Sequence, residues 1–405
     1  MERTLASAWK QFPVVVLTGA RQVGKTTLAR HFLPKADYVT LDAPAEAELA
    51  RLNPAELFES HSPPLILDEV QYAPSLLRGL KTRIDRNRAP GQYLVTGSQS
   101  FELMAGVSES LAGRAAILSL PPLSVGELTD ITDLGALDGA LWRGLYPQLW
   151  QQPGLDRELW LGSYVATYLE RDVRNLLAVG SLRDFDRFLR ACALRAGQML
   201  SYAELARDVG VAPNTAKSWI SVLEANQQIF LLEPYHRART KRLVKSPKLY
   251  FCDTGMLTYF MGFAEASELP RHALWGAVWE NFVVAEIRKS FLNRGQRPPL
   301  WYWRTSTGEE IDVLVEIAPE RFVAVECKTA AQVDTSQLRG LRLLQSEYGP
   351  SSVSHAFIAC RTERPYPLIE GGAIEAVPLA GHGGLLRRRE LTGGPVTGGA
   401  RGSGH

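Results

Sequence analysis

The run Val14-Val15-Val16-Leu17-Thr18-Gly19-Ala20-Arg21-Gln22-Val23-Gly24-Lys25-Thr26-Thr27-Leu28 constrains the fold most, because an apolar β-branched segment breaks into a glycine-bounded loop and then a helix-forming one. From Gly19 to Thr26 it spells G-x-x-x-x-G-K-[ST], the phosphate-loop pattern. Gly19 and Gly24 let the backbone turn, so that the N–H groups of Ala20, Arg21, Gln22, Val23 and the residues up to Thr27 point at phosphate oxygens. The following helix adds the positive end of its dipole. Lys25 is expected to reach the β- and γ-phosphates and Thr26 to offer its hydroxyl to Mg²⁺, which makes ATP and Mg²⁺ the expected ligands. An ordinary strand-to-helix turn is the alternative; the strand before the loop and the helix pattern after it weigh against that.

Pro64-Leu65-Ile66-Leu67-Asp68-Glu69-Val70-Gln71 is a short apolar strand ending in two acids. In P-loop ATPases a carboxylate at such a strand end holds Mg²⁺ and an adjacent glutamate polarises the attacking water, so Asp68 and Glu69 are assigned those roles. Tyr93-Leu94-Val95-Thr96-Gly97-Ser98-Gln99-Ser100 is a further buried strand whose polar end offers Ser98 or Gln99 as a γ-phosphate sensor, or else an ordinary strand-to-loop turn. Arg114 precedes another apolar strand. In ring ATPases an arginine at this point serves the neighbouring subunit's γ-phosphate, which implies a homo-oligomer; a solvated arginine is the plain alternative. Strand, helix, strand, strand in this order predicts a parallel sheet covered on both faces, with nucleotide at the strands' C-terminal edge.

The chain's 405 residues exceed one typical domain. Its formal charge of +2 says nothing about partners, so local charge must carry that argument. The four cysteines, Cys192, Cys252, Cys327 and Cys360, form no C-x-x-C pair, which argues against a zinc site or disulfide framework and for a reducing cytoplasm. No stretch approaches the eighteen or so apolar residues needed to span a bilayer, so no membrane partner is expected.

Several motifs together resemble the bacterial and archaeal AAA-type ATPases that carry a C-terminal domain of poorly defined role with a restriction-endonuclease-like signature. They are the phosphate loop, Leu67-Asp68-Glu69-Val70-Gln71, Thr96-Gly97-Ser98-Gln99, Leu111-Ala112-Gly113-Arg114, Arg143-Gly144-Leu145-Tyr146-Pro147, and Tyr164-Val165-Ala166-Thr167-Tyr168-Leu169-Glu170-Arg171-Asp172-Val173. The likeness runs from about residue 10 to 365. It departs from AAA-type practice at Ser98, where the sensor is generally asparagine.

Downstream, Leu141 to Ala178 has helical spacing and stands where a lid over the nucleotide is expected. Tyr202 to Ile220 reads as helix, glycine turn, helix, with Gly210 at the turn, Pro213 opening the second helix, and Asn214, Thr215, Lys217 and Ser218 facing outward for a nucleic-acid groove. In the loop between strands Ile229–Leu232 and Leu249–Phe251, the run from Arg237 to Lys248 holds Arg237, Arg239, Lys241, Arg242, Lys245 and Lys248 with no acid, a basic wing suited to DNA phosphates or a solvated hairpin tip. Asp312, Glu326 and Lys328, with helix-borne Glu280, form the D…E-x-K set of PD-(D/E)XK nucleases: three acids as Mg²⁺ ligands and a lysine to activate water, or a salt-bridge cluster on a related scaffold.

The expectation is an α/β protein. Residues 1–135 are read as an AAA-type P-loop core with a parallel sheet, 136–185 as a helical lid, and 186–250 as a winged helix-turn-helix. Residues 251–380 are read as a second, restriction-endonuclease-like α/β domain and 381–405 as a disordered Gly/Arg-rich tail. The functional expectation is Mg²⁺-dependent ATP hydrolysis coupled to DNA binding or processing. A nucleotide-switched scaffold with an inactive nuclease-like domain is the alternative.

Overall fold

The computed structural model describes residues 1–98, 107, 110–128, 133–169, 182–235, 246–369, 373–381 and 383–392. After helix α1 (Glu2–Trp9), the N-terminal part is built on strands β1 (Val14–Gly19), β2 (Asp37–Thr40), β3 (Leu65–Asp68), β4 (Tyr93–Ser98) and β5 (Ala115–Ser119). All pairings are parallel and the order is β2-β3-β4-β1-β5. Period-two alternation explains how β1 serves two cores: Val15 and Leu17 enter one cluster, Val14 and Val16 the other. Helix α2 (Lys25–Phe32) follows the phosphate loop, and α3 (Pro44–Leu52), α4 (Pro54–Ser60) and α5 (Leu76–Arg86) line the face of Val14 and Val16. The sequence reads as one amphipathic helix from Ala45 to Glu59, but two form. Pro54 lacks the N–H a continuing helix needs, and Asn53 caps the second helix by accepting from Glu56 N at 3.3 Å.

Three short helices, α6 (Leu134–Arg143), α7 (Pro147–Gln151) and α8 (Arg157–Tyr164), follow the sheet, and α8 runs into a π turn at Val165–Leu169. Next come α9 (Leu182–Ala193), α10 (Tyr202–Val209) and α11 (Pro213–Ala225). Gly210, left-handed at φ 84°, ends α10 and Pro213 opens α11, so the glycine turn forms as the sequence predicts. Trp219 of α11 packs edge-on against Phe185 and Phe188 of α9. Strands β6 (Ile229–Leu232) and β7 (Lys248–Phe251) then pair antiparallel, and α12 (Thr254–Met261) follows.

Helix α13 (Trp275–Leu292) is apolar nearly all round and is accordingly buried. It touches three neighbours. Asn281 brackets Phe251 of β7, accepting from its N–H at 2.8 Å and donating to its carbonyl at 3.0 Å. Trp279 donates to the Ala359 carbonyl at 3.1 Å, and the buried Glu286–Lys289 pair reaches back to the Val125 N–H and the Leu123 carbonyl. Beyond it lies a mixed sheet of order β12-β13-β11-β10-β9-β8: β8 (Leu300–Arg304), β9 (Glu310–Ala318), β10 (Arg321–Cys327), β11 (Val353–Ala359), β12 (Tyr366–Pro367) and β13 (Ile374–Val377). Helix α14 (Arg339–Tyr348) packs on it.

Two expectations change. The sequence reads a disordered tail from Gly381, yet Leu385 and Leu391 are buried in the same core as Val15 and Leu386 packs against it, because three leucines in an otherwise polar, glycine-rich stretch suffice to dock it. Residues 393–405 lie outside the described ones. The boundary drawn at residue 250 also runs through packed structure. The chain leaving β6 pairs with β8 through Tyr235 N to the Tyr302 carbonyl (2.7 Å) and Tyr302 N to the Glu233 carbonyl (3.0 Å). The hairpin base is thereby an extension of the C-terminal sheet.

Candidate functional site

At the C-terminal end of β1 the chain passes so close to β5 that a Cβ on Gly19 would meet the Leu120 carbonyl oxygen at 2.5 Å. Gly24 enters α2 at φ 95°, a left-handed conformation costly for any other residue. Between them Gln22 is also left-handed, at φ 66°. Lys25 is buried and donates to the carbonyls of Gly19 and Ala20 at 3.1 and 2.8 Å. Burial lowers its pKa to about 8 against the opposing pull of Glu69. The loop, its lysine and helix α2 thus form one compact unit at the edge of the sheet.

Asp68 ends β3 beside this loop. Thr26 Oγ1 donates to its two carboxylate oxygens at 3.0 Å, Tyr38 OH donates at 2.8 Å, and Thr96 Oγ1 donates as well. Thr26 and Asp68 are oxygen donors held side by side, the ligand chemistry Mg²⁺ takes next to phosphates. These residues fit the nucleotide–Mg²⁺ group that the loop implies. Glu69 follows with left-handed backbone, φ 60° and ψ 43°, a conformation that costs on the order of 1–3 kcal/mol and is characteristic of functional strand ends. Its N–H donates to Thr96 Oγ1 at 3.3 Å and its carboxylate takes the Gln71 amide. Gln71 also accepts from the N–H of Ser98, which is buried at the end of β4.

Tyr38, Gln71 and Thr96 were missed by sequence reasoning. Tyr38 and Thr96 reach Asp68 from the flanking strands, through pairings such as Thr40 with Asp68 and Leu67 with Val95. No local pattern signals a register.

Arg114 stands directly before an apolar strand, where the sequence reading put it. It precedes β5 at the edge where Val14 pairs with Ala115, opposite the phosphate loop, and is held by Asp85 at 2.7 and 3.0 Å. The intervening strand is roughly 16 Å long, so within its own chain it does not serve the phosphates. Helix α8 meets the loop: Tyr164 OH donates to the Arg21 carbonyl at 3.4 Å and accepts from Gln228 at 3.0 Å beside β6.

In the C-terminal part, Glu280, Glu310 and Asp312 bring one carboxylate oxygen each within 4.8 Å of one another. Sequence reasoning named Glu280 and Asp312 but paired them with Glu326 and missed Glu310. Glu326 and Lys328 do form a pair, at 3.2 Å, and burial followed by the neighbouring Asp312 pushes the Glu326 carboxyl well up. The larger correction concerns Lys248. Read as part of a basic wing, it is buried in β7, where it donates to Glu280 at 2.9 Å and pairs with Glu310. Burial acts to lower the pKa of this ammonium, but Glu280, Asp312 and Glu310 together outweigh burial and raise it. Burial and Asp312 lift Glu280 to about 7, because carboxylates outnumber cations here. On α11, Asn214, Lys217 and Ser218 are exposed and Thr215 half-buried. Arg237, Arg239, Lys241, Arg242 and Lys245 lie outside the described residues, as does Gln99.

The chain is similar to two curated proteins, the uncharacterized protein Rv2008c of Mycobacterium tuberculosis and the uncharacterized protein Mb2031c of Mycobacterium bovis. Each is 35% identical over 317 residues, 78% of this chain and 70% of the relative. The chain belongs to their family. Three domain models match it in succession: an AAA domain over residues 11–129 and domains of unknown function over 135–267 and 275–381. Its N-terminal part is therefore an AAA-type P-loop ATPase domain, and the whole is an α/β protein with a second sheet-containing part. Solved structures that it is similar to include the Walker-type ATPase PABY2304 of Pyrococcus abyssi, 18% identical, with a TM-score of 0.42 covering 64% of this chain and 94% of that one. A RuvB variant of Thermotoga maritima is 18% identical, with a TM-score of 0.28 covering 56% and 87%. At such scores neither likeness carries weight for function. Among the described residues no helix is long and apolar enough to cross a membrane.

Proposed function

We propose that the chain binds ATP with Mg²⁺ at the phosphate loop and hydrolyses it, and that hydrolysis is coupled to DNA. The observation that carries the first part is the Asp68 carboxylate beside the Thr26 hydroxyl at the mouth of the loop, with Glu69 next in sequence. Thr26 and Asp68 would hold Mg²⁺, which supplies charge neutralisation for the phosphates. Lys25 pairs with phosphate oxygens, the Glu69 carboxylate orients and deprotonates the attacking water, and Gln71 fixes that carboxylate. Ser98, joined to Gln71, is a candidate sensor of the γ-phosphate. The glycine-turned helix pair with exposed Asn214 and Lys217 on α11 supports DNA as the coupled partner.

One observation favours a second reading of the C-terminal part. The Lys248 ammonium is seated among Glu280, Glu310 and Asp312, where a metal-dependent nuclease would hold its cation. A scaffold role, with the cluster clasping β7 to the second sheet, accommodates this directly. The test is cleavage of duplex, single-stranded and branched DNA with Mg²⁺ or Mn²⁺ by wild type and Asp312→Ala, with thermal stability of both. Cleavage that vanishes in a stable Asp312→Ala supports a nuclease. Absence of cleavage by wild type, with a destabilised variant, supports the scaffold.

A further inference from the structure

Helix α5 turns Leu76, Leu77, Leu80 and Ile84 into the core and leaves its other face to solvent. From Leu76 to Ala89 the chain carries Arg78, Lys81, Arg83, Arg86 and Arg88 with Asp85 as the sole acid, a strong concentration in a protein of net charge +2. An open groove of about 620 Å³ runs along that face, lined among the described residues by Arg78, Lys81, Thr82, Asp85, Arg86 and Ser110. Asp85 does not offset it, since its carboxylate is taken by Arg114 at 2.7 and 3.0 Å and by Arg88 at 3.2 Å. What the groove presents is therefore two guanidinium groups and an ammonium, all donors at neutral pH, while the Thr82 hydroxyl donates to the Arg78 carbonyl at 3.2 Å.

We infer that this groove is a docking surface for the sugar-phosphate backbone of a nucleic acid, separate from the nucleotide site. Three features select a nucleic-acid strand over a single small anion or a lipid surface. The donors recur at Arg78, Lys81–Thr82 and Arg86, three to five positions apart on one helix face. From Arg78 to Arg86 the helix rises ~12 Å, which matches three to four nucleotides of one strand at about 3.4 Å each. The surface is concave, a shape that follows a strand rather than a flat lipid headgroup layer. The Asp85 end of the groove lies beside Arg114, where β5 begins and away from the phosphate loop. Arg114, unsuited to its own chain's phosphates, has a role here: it neutralises Asp85, the one acid among the described residues that line the groove.

This inference rests on the proposed coupling to DNA and adds a second contact surface to that of α11. The test is fluorescence anisotropy of a labelled duplex with the full chain at 50–300 mM salt, a range about that of ordinary salt titrations. Wild type is compared with Arg78→Glu/Lys81→Glu/Arg86→Glu and with the milder Arg78→Gln/Lys81→Gln/Arg86→Gln. The expected result is a loss of roughly tenfold or more in affinity and a fall of about three in the slope of log K against log salt, with ATP binding unchanged as the control for folding. Wild-type binding with both variants unaffected overturns the groove and leaves coupling to DNA standing. No wild-type binding at any salt overturns both. Co-sedimentation with phosphatidylserine vesicles that the variants lose, while DNA binding persists, would make the surface a membrane contact and overturn the inference.

Discussion

Replacing Glu69 by Gln keeps the size of the side chain and leaves Thr26, Asp68 and Lys25 in place, so nucleotide binding should persist while turnover falls by roughly 10²–10⁴-fold, the range for loss of a general base. Nucleotide affinity measured beside the steady-state rate separates this from a binding defect. Lys25→Ala behaves in the opposite way: it removes a charged donor worth about 1.5–3 kcal/mol, so ATP affinity should drop by about 10–100-fold, readable by titration with a fluorescent ATP analogue. Tyr38→Phe deletes one of the hydroxyls held by Asp68, at 2.8 Å, and should weaken Mg²⁺-dependent ATP binding several-fold, by about 1 kcal/mol. If Tyr38→Phe binds as wild type does, the tyrosine is incidental to the site. Gly19, Lys25, Thr26, Asp68 and Glu69 could be read from the chain because their spacing is local: a loop, the first turn of a helix, the end of one strand. Tyr38, Gln71 and Thr96 could not, since what brings Tyr38 and Thr96 to Asp68 is the β2-β3-β4 register. Lys248 was misread for a related reason. A run of positive residues records charge but not which of them a strand turns inward.

Among the elements, α13 contributes most to joining the parts. Its Glu286 and Lys289 are both buried and paired at 2.8 Å, and they reach the Val125 N–H and the Leu123 carbonyl where the first sheet ends. Lys289→Met strands the Glu286 charge without its partner and should cost about 3–5 kcal/mol, measurable by denaturant unfolding. A loss under about 1 kcal/mol would put this pair with exposed ones. The chain Arg21 carbonyl, Tyr164 hydroxyl, Gln228 amide links the phosphate loop to the start of β6. Tyr164→Phe removes neutral hydrogen bonds worth about 1 kcal/mol each and no ligand of phosphate or Mg²⁺, so basal ATPase should change by no more than about tenfold while any stimulation by DNA falls. Helical and strand periodicity made most elements legible, including β1, α2, the α10–α11 pair and the β6–β7 hairpin. Where the reading failed, a backbone constraint decided: Pro54 divided one expected helix into α3 and α4.

At the scale of the molecule one apolar cluster runs from Leu5 and Val15 through Tyr146, Trp219 and Trp279 to Leu385 and Leu391. Division into an ATPase core and further modules was visible in the motifs, but their fusion through α13 and the docked segment around Leu385 was not, because it depends on contacts between residues far apart in sequence. Leu385→Ala should therefore destabilise the protein by about 2–5 kcal/mol, although it lies in a stretch whose composition reads as tail. The proposed function requires that the phosphate loop and the DNA-contacting surfaces act as one machine. The most direct measurement is the Mg²⁺-dependent steady-state ATPase rate of the full chain with and without duplex DNA. The predicted result is turnover that depends on Glu69 and rises when DNA is added. A rate that Glu69→Gln leaves intact, or that no DNA changes, would contradict it.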